Sequence, residues 1–241
     1  MKYIYQIKKT SIWIFVLPVF IINLCLFISI YGDLLQNTFF QVDAIGRSSF
    51  TIPYIDGGTS ISRVSRTYPA YLLFKPGMLI TAILLIKYWF ANKSLFNEID
   101  KKNNLKKYFL FFGVGSSLFL IIHSLLLGLN YEVDLYKFFR RFVLLAFIIF
   151  EVIAQTILII NIFLIKDKIQ NLINSKILLL KAILVSLLIA IALFTLPILN
   201  SGEYTHFKHA LEWNFFIGVI SFYLLTFFFW KKPRVHTSED V

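Results

Sequence analysis

Two ionisable side chains, His123 and Glu151, stand inside long apolar runs of this chain. Charged or titratable groups are costly in hydrocarbon, so such residues are functional candidates by default. An imidazole and a carboxylate can supply general acid–base catalysis when held near reacting atoms. At a helical rise of about 1.5 Å per residue, His123 lies roughly 9 Å below the outer end of its run and Glu151 roughly 13 Å below the start of the next. The two runs are consecutive and antiparallel, so the pair could meet at similar depth. Asn23 falls about 12 Å below the outer face on the same arithmetic. Gln155 follows Glu151 by four residues and shares its face. Two interpretations are open: a polar cavity in the outer half of the bilayer, or a hydrogen-bond network between helices that fixes packing.

A second group, His206, His209 and Glu212, recurs every three residues and would share one face of a helix. Imidazole and carboxylate suit zinc, yet no second cluster of matching ligands accompanies them, and a polar collar at the membrane interface is the alternative. Asp56 and Arg63 in the preceding outer connection, with Trp213, complete the candidate ligand contacts. The chain has no Gly-rich phosphate loop, Gly-x-Ser-x-Gly elbow, His-Glu-x-x-His or Cys-x-x-Cys. Nucleotide-binding, serine-hydrolase and thiol-redox chemistry therefore have no support, and neither a metal nor a cofactor is expected. Cys25 is the single cysteine, which excludes an intrachain disulfide.

The elements that must position these residues are six apolar runs: Ser11–Tyr31, Tyr71–Phe90, Tyr108–Leu129, Phe142–Ile165, Ile177–Leu199 and Leu211–Trp230. A helix needs about 20 apolar residues to cross a bilayer, and backbone groups in lipid must bond internally. The expected fold is all-α: one polytopic domain over 1–241 with six transmembrane helices. Hydrophobic residues make up 58% of the chain, above the roughly 45–50% of globular proteins, so lipid must face much of it. The net charge of +11 reflects loop placement rather than nucleic-acid binding.

Sixteen Lys and Arg fall on one side of the runs and eight on the other, Lys181 being counted with the first side. Excess Lys and Arg mark cytoplasmic loops, which places both termini in the cytoplasm. Trp13, Trp89 and Trp230 then fall at the inner interface and Trp213 at the outer one. The basic N-terminal stretch precedes a run too long for a signal peptide and is expected to be a retained span. Asn92-Lys93-Ser94 is a glycosylation sequon on the cytoplasmic side, and the tail after Trp230 is expected to fray.

The longest connection, Gly32 to Ala70, contains Pro53-Tyr54-Ile55-Asp56-Gly57-Gly58-Thr59, where Asp-Gly-Gly forces a turn. It is either an ordered cap over the outer helix ends or a solvated loop. The connection Ala91–Lys107 is lysine-rich and expected to be solvated. Gly113, Ser117, Ser124 and Gly128 form a small-residue stripe suited to close helix packing, and Pro18 and Pro197 are expected to kink their spans.

Two of these segments resemble the DRAM (damage-regulated autophagy modulator) family. The 53–59 segment is similar to that family's Pro-Tyr-Ile-Ser-Asp-x-Gly-Thr, one residue shorter here. Glu212-Trp213 with Phe222-Tyr223-Leu224-Leu225-Thr226-Phe227 is similar to its sixth helix, Glu-Trp…Phe-Tyr-x-x-Thr-Phe. Six spans, a long first outer loop, Gly128 and Gln155 also fit. Glu151 and His123 have no counterpart in that pattern, and Lys137–Arg141 is more basic than the family stretch. The resemblance implies a protein of membrane-lipid biology with lipids as partners, another membrane protein as a further partner, and no nucleic acid. Its membrane would be the cell membrane in a microbe, or an endomembrane or lysosome in a eukaryote. A non-catalytic lipid-binding or lipid-organising role is the leading expectation. A lipid-remodelling enzyme using His123, Glu151 or Glu212 is the second, and a small-molecule transporter the third.

Overall fold

Each apolar run becomes a helix, and most helices continue past the apolar residues into charged ones. A computed structural model describes residues 2–101, 104–129, 134–200 and 203–231. The polar tail beyond Lys231, like Lys102, lies outside the described residues. The long helices are α1 (Lys2–Ile30), α3 (Ala70–Ile99), α4 (Leu105–Leu126), α5 (Asp134–Leu164), α7 (Ser175–Asn200) and α8 (Thr205–Phe229). The short α2 (Ile61–Arg66) lies in the outer connection, and α6 (Lys166–Ile169) links α5 to α7. All six long helices have the length and apolarity to cross a membrane.

The extensions correct three expected boundaries. The Ala91–Ile99 segment, expected to be a solvated connection, continues α3; α1 starts at Lys2, and α5 starts at Asp134 rather than near Phe142. Hydropathy marks where lipid ends, whereas the backbone ladder ends only where helix propensity fails. Lys, Glu, Asn and Leu sustain a helix well enough to carry it into the interface, and their polar tips reach water from there.

The spans pack as a closed ring in chain order: α1 on α3, α3 on α4, α4 on α5, α5 on α7, α7 on α8, and α8 back on α1. At one end, the Asn174 amide donates to the Phe229 carbonyl and the Lys231 amide to the Leu172 carbonyl, both at 2.9 Å. The Lys8 ammonium donates to the Trp230 carbonyl at 2.7 Å. The start of α1 and the end of α8 therefore share one side, called inner here after the charge bias.

The tryptophan belt is not what the spacing suggests. Trp13 is exposed, but Trp89, Trp213 and Trp230 are buried in the protein. Trp89 is drawn inward because Gly113 of α4 leaves a hollow for its ring: a Cβ there would stand 2.3 Å from it. Tyr88, Phe109 and Phe96 continue this aromatic packing between α3 and α4. Ser117 and Ser124 on the same stripe are buried and return their hydroxyls to the carbonyls one turn back. Asn92 is likewise buried inside α3, its amide donating to the Tyr88 carbonyl at 2.9 Å, so the sequon is sealed against modification. The chain runs helical through Pro18, and through a further interior proline, Pro76; Pro197 falls in the last turn of α7.

Replacing Gly113 by Val should force the Trp89 ring from its seat. Overpacking of this kind costs about 1–3 kcal/mol. The expected outcome is a lower thermal midpoint for the detergent-solubilised protein, read by tryptophan fluorescence, with Gly113→Ala intermediate.

Candidate functional site

The 53–59 loop and the first turns of α8 around Glu212-Trp213 meet at the outer end of the ring. Asp56 organises the first. Its Oδ1 accepts from the Thr51 hydroxyl at 2.5 Å and from the Gly58 amide at 2.9 Å, and its Oδ2 from the Ile52 amide at 2.9 Å. These bonds hold the Asp56 carboxyl below its ordinary value near 3.8, the Thr51 hydroxyl contributing most. Gly57 takes φ +60°, and a Cβ there would collide with the His206 carbonyl oxygen at 1.8 Å. Only glycine lets the turn press this closely on α8.

The first turns of α8 then grip the loop. Trp213 Nε1 donates to the Thr59 carbonyl at 2.9 Å, and Asn214 Nδ2 to the Tyr54 carbonyl at 2.7 Å. Glu212 Oε1 accepts from the Ser62 amide at 3.3 Å. His209 Nδ1 lies 3.0 Å from the Gly57 carbonyl; a carbonyl only accepts, so the ring carries its proton on Nδ1. The Tyr54 ring meets Trp213 edge-on at 4.9 Å, and its hydroxyl donates to Asn23 Oδ1 of α1 at 3.1 Å. Burial pushes the Tyr54 phenol up. The outer connection is thus an ordered cap. His206, His209 and Glu212 do share a face, and it is the face that receives this cap. Among the described residues no group of three His, Cys, Asp or Glu is arranged to hold a metal. Arg63 is exposed, its amide donating to the Ser60 side chain that caps α2.

A second polar cluster lies inside the ring. Glu151 is 1% exposed. Its carboxyl accepts from Ser116 of α4 at 2.6 Å, from Gln155 at 3.0 Å and from the Tyr223 hydroxyl of α8. Gln155 also donates to the Val219 carbonyl at 3.1 Å. Three donors give the carboxyl the partners that burial demands. His123 is not among them. It sits three residues from the end of α4, whereas Ser116, the α4 partner of Glu151, lies about 10 Å deeper along the helix. The expected meeting fails because α5 begins at Asp134, so Glu151 is further from the outer end than its apolar run implies. His123 Nδ1 is buried without a partner among the described residues.

The sequence analysis misses Lys181, which is fully buried in α7 rather than part of the cytoplasmic charge. Its ammonium donates to Thr226 Oγ1 at 2.8 Å and lies 3.9 Å from the Phe222 ring centroid, with Phe229 at 5.2 Å. Aromatic faces of this kind attract a cation. Thr226 gives its own proton to the Phe222 carbonyl, so Tyr88, 3.4 Å away, is left to donate to it. Tyr88 and Tyr223 stack edge to face at 4.9 Å and join the lysine cluster to the glutamate cluster. Five of the six spans therefore share one polar core. A lone lysine between Leu178–Leu180 and Ala182–Val185 is the signal for it, hidden by counting charge for sidedness.

These features define a multi-pass integral membrane protein with an outer cap and a buried polar core. No family model, curated protein or solved structure matches the chain.

Two outcomes are expected. Asp56 is depressed in the folded cap, so its contribution is present above the unfolded value and lost as pH falls below about 4. Protease cleavage in the 53–59 loop should rise below that pH, and Asp56→Asn should remove the step. Lys181→Met keeps the length and removes a buried cation that no carboxylate pairs among the described residues, and with it the desolvation cost of that charge; the thermal midpoint in detergent should stay level or rise.

Proposed function

We propose that this integral membrane protein binds and organises membrane lipid without catalysing a reaction on it, and that it is a distant member of the DRAM-like group. The observation carrying this reading is the union of the 53–59 and 212–213 segments into one cap beside a lipid-facing groove. The groove is a shallow, open and almost wholly apolar strip of the α1 surface, lined by Phe15, Val16, Val19, Phe20, Asn23 and Leu24. Its outer end is marked by the Asn23–Tyr54 hydrogen bond. An acyl chain would lie on the phenylalanines, with ester or headgroup oxygens at Asn23 and Tyr54.

The non-catalytic part follows from how the titratable candidates are used. Asp56, His209 and Glu212 hold the cap, and Glu151 is enclosed by Ser116, Gln155 and Tyr223. None of these four presents a free carboxyl or imidazole to the groove, and His123, whose Nδ1 has no partner among the described residues, stands on α4 and not among the α1 residues that line the groove. Membrane lipids are the proposed partners.

Lipid extracted from the purified full chain and quantified by mass spectrometry tests this reading. Combining Asn23→Leu with Tyr54→Phe removes the two polar groups that would meet a lipid oxygen at the groove mouth; losing one such lipid hydrogen bond, worth about 0.5–1.5 kcal/mol, should lower retained lipid by about two- to tenfold. A folded wild-type preparation free of lipid would overturn the proposal.

A further inference from the structure

Arginine is distributed unlike lysine in this chain. Five of the six arginines (Arg47, Arg63, Arg66, Arg140 and Arg141) fall on the outer side, whereas most lysines fall on the inner side. Lysine serves as a solvated charge, while the planar guanidinium suits bidentate recognition of phosphate. Arg47 is taken by Asp33 at 2.7 Å. Arg63, Arg66 and Arg140 make no ion pair with a carboxylate among the described residues.

The fold brings these three together with His123. Gly128, at φ +83° just beyond α4, lets the end of α2 approach so closely that a Cβ would stand 3.0 Å from the Arg66 carbonyl oxygen. Tyr136 of α5 donates to the Leu126 carbonyl at 2.5 Å, fixing the start of α5 against the end of α4. Arg140 lies one turn below Tyr136, about 6 Å, and His123 lies about 4.5 Å below Leu126, so the two share a depth. Arg140 and Arg63 stand near enough to Arg66 to disfavour its charge. Burial first, then Arg140 and Arg63, holds the Arg66 guanidinium below its ordinary range. His123 completes the group with a buried Nδ1 that has no partner among the described residues.

We infer that the junction of α2, α4 and α5 is an outer-leaflet anion site, in which Arg63, Arg66, Arg140 and His123 Nδ1 take the phosphate of a phospholipid headgroup. Three guanidiniums without a carboxylate partner among the described residues repel one another here, and a phosphate oxyanion relieves that repulsion while supplying several acceptors. The inference rests on the lipid-binding proposal and names the headgroup chemistry, at a place separate from the α1 groove. Basic pockets between transmembrane helices on the cytoplasmic side take phosphorylated headgroups, and the same guanidinium–phosphate chemistry operates at the opposite face.

The full chain in neutral detergent is titrated with short-chain phosphatidic acid, with the matching diacylglycerol, and with inorganic phosphate, reading thermal stability. Phosphatidic acid should stabilise the wild type, diacylglycerol should not, and Arg140→Gln should weaken the response at least tenfold. Arg63→Gln, at an exposed position that leaves folding intact, should weaken it several-fold. Stabilisation by inorganic phosphate alone, lost in Arg140→Gln, also supports the site and assigns it to a free anion. Equal responses to phosphatidic acid and diacylglycerol, or an Arg63→Gln response equal to wild type, overturn the inference. If lipid still copurifies with the Arg140→Gln protein in that case, the lipid-binding proposal stands and only the anion site falls.

Discussion

Hydrocarbon offers no hydrogen bonds, so every polar group carried into the bilayer must find its partner inside the protein. Most of this structure follows from that constraint. Thr81, Ser117, Ser124, Thr156 and Thr195 each return a hydroxyl to the carbonyl one turn back. Glu151 and Lys181, which no such local bond can satisfy, gather Ser116, Gln155, Tyr223 and Thr226 around them. Doing so fixes which faces of α4, α5, α7 and α8 turn inward. The polar core thus specifies the arrangement of the ring, while small residues such as Gly113 set how closely its helices approach.

The cap obeys the same rule at the membrane boundary. A long irregular connection has backbone groups that no helix ladder serves. Here the side chains of α8 serve them: Trp213 for Thr59, Asn214 for Tyr54, His209 for Gly57 and Glu212 for Ser62. The residues that look most capable of chemistry are therefore those that make an ordered loop feasible. Asn23, reaching up from α1 to the Tyr54 hydroxyl, ties the cap to the ring's first helix.

Much of the architecture is legible in the amino-acid order because bilayer thickness sets the length of an apolar run. The six spans and the Asp-Gly-Gly turn at 56–58 belong to this legible part. Helix ends are less so, since Lys and Asn extend α3 without leaving a hydropathy signal, and the same blindness misplaces the depth of Glu151 relative to His123. Tryptophan position along the chain cannot say whether a ring faces lipid or a glycine hollow, which is why Trp89 misleads. Lys181 is visible as a charge among leucines, but its partner Thr226 and the bridging pair Tyr88 and Tyr223 are tertiary facts. Which residues converge across five helices is decided by packing, and no spacing within one run encodes it.

The Lys8 contact with the Trp230 carbonyl spans 222 positions of sequence, and the α1–α8 seam it belongs to joins two spans that leave the ribosome far apart in time. Until α8 enters the bilayer, α1 has one flank without a neighbour, and the cap has nothing to hold it. Biogenesis is accordingly vectorial with a delayed latch: the outer loop is synthesised just after α1, waits through the insertion of α3, α4, α5 and α7, and is fastened only when α8 arrives.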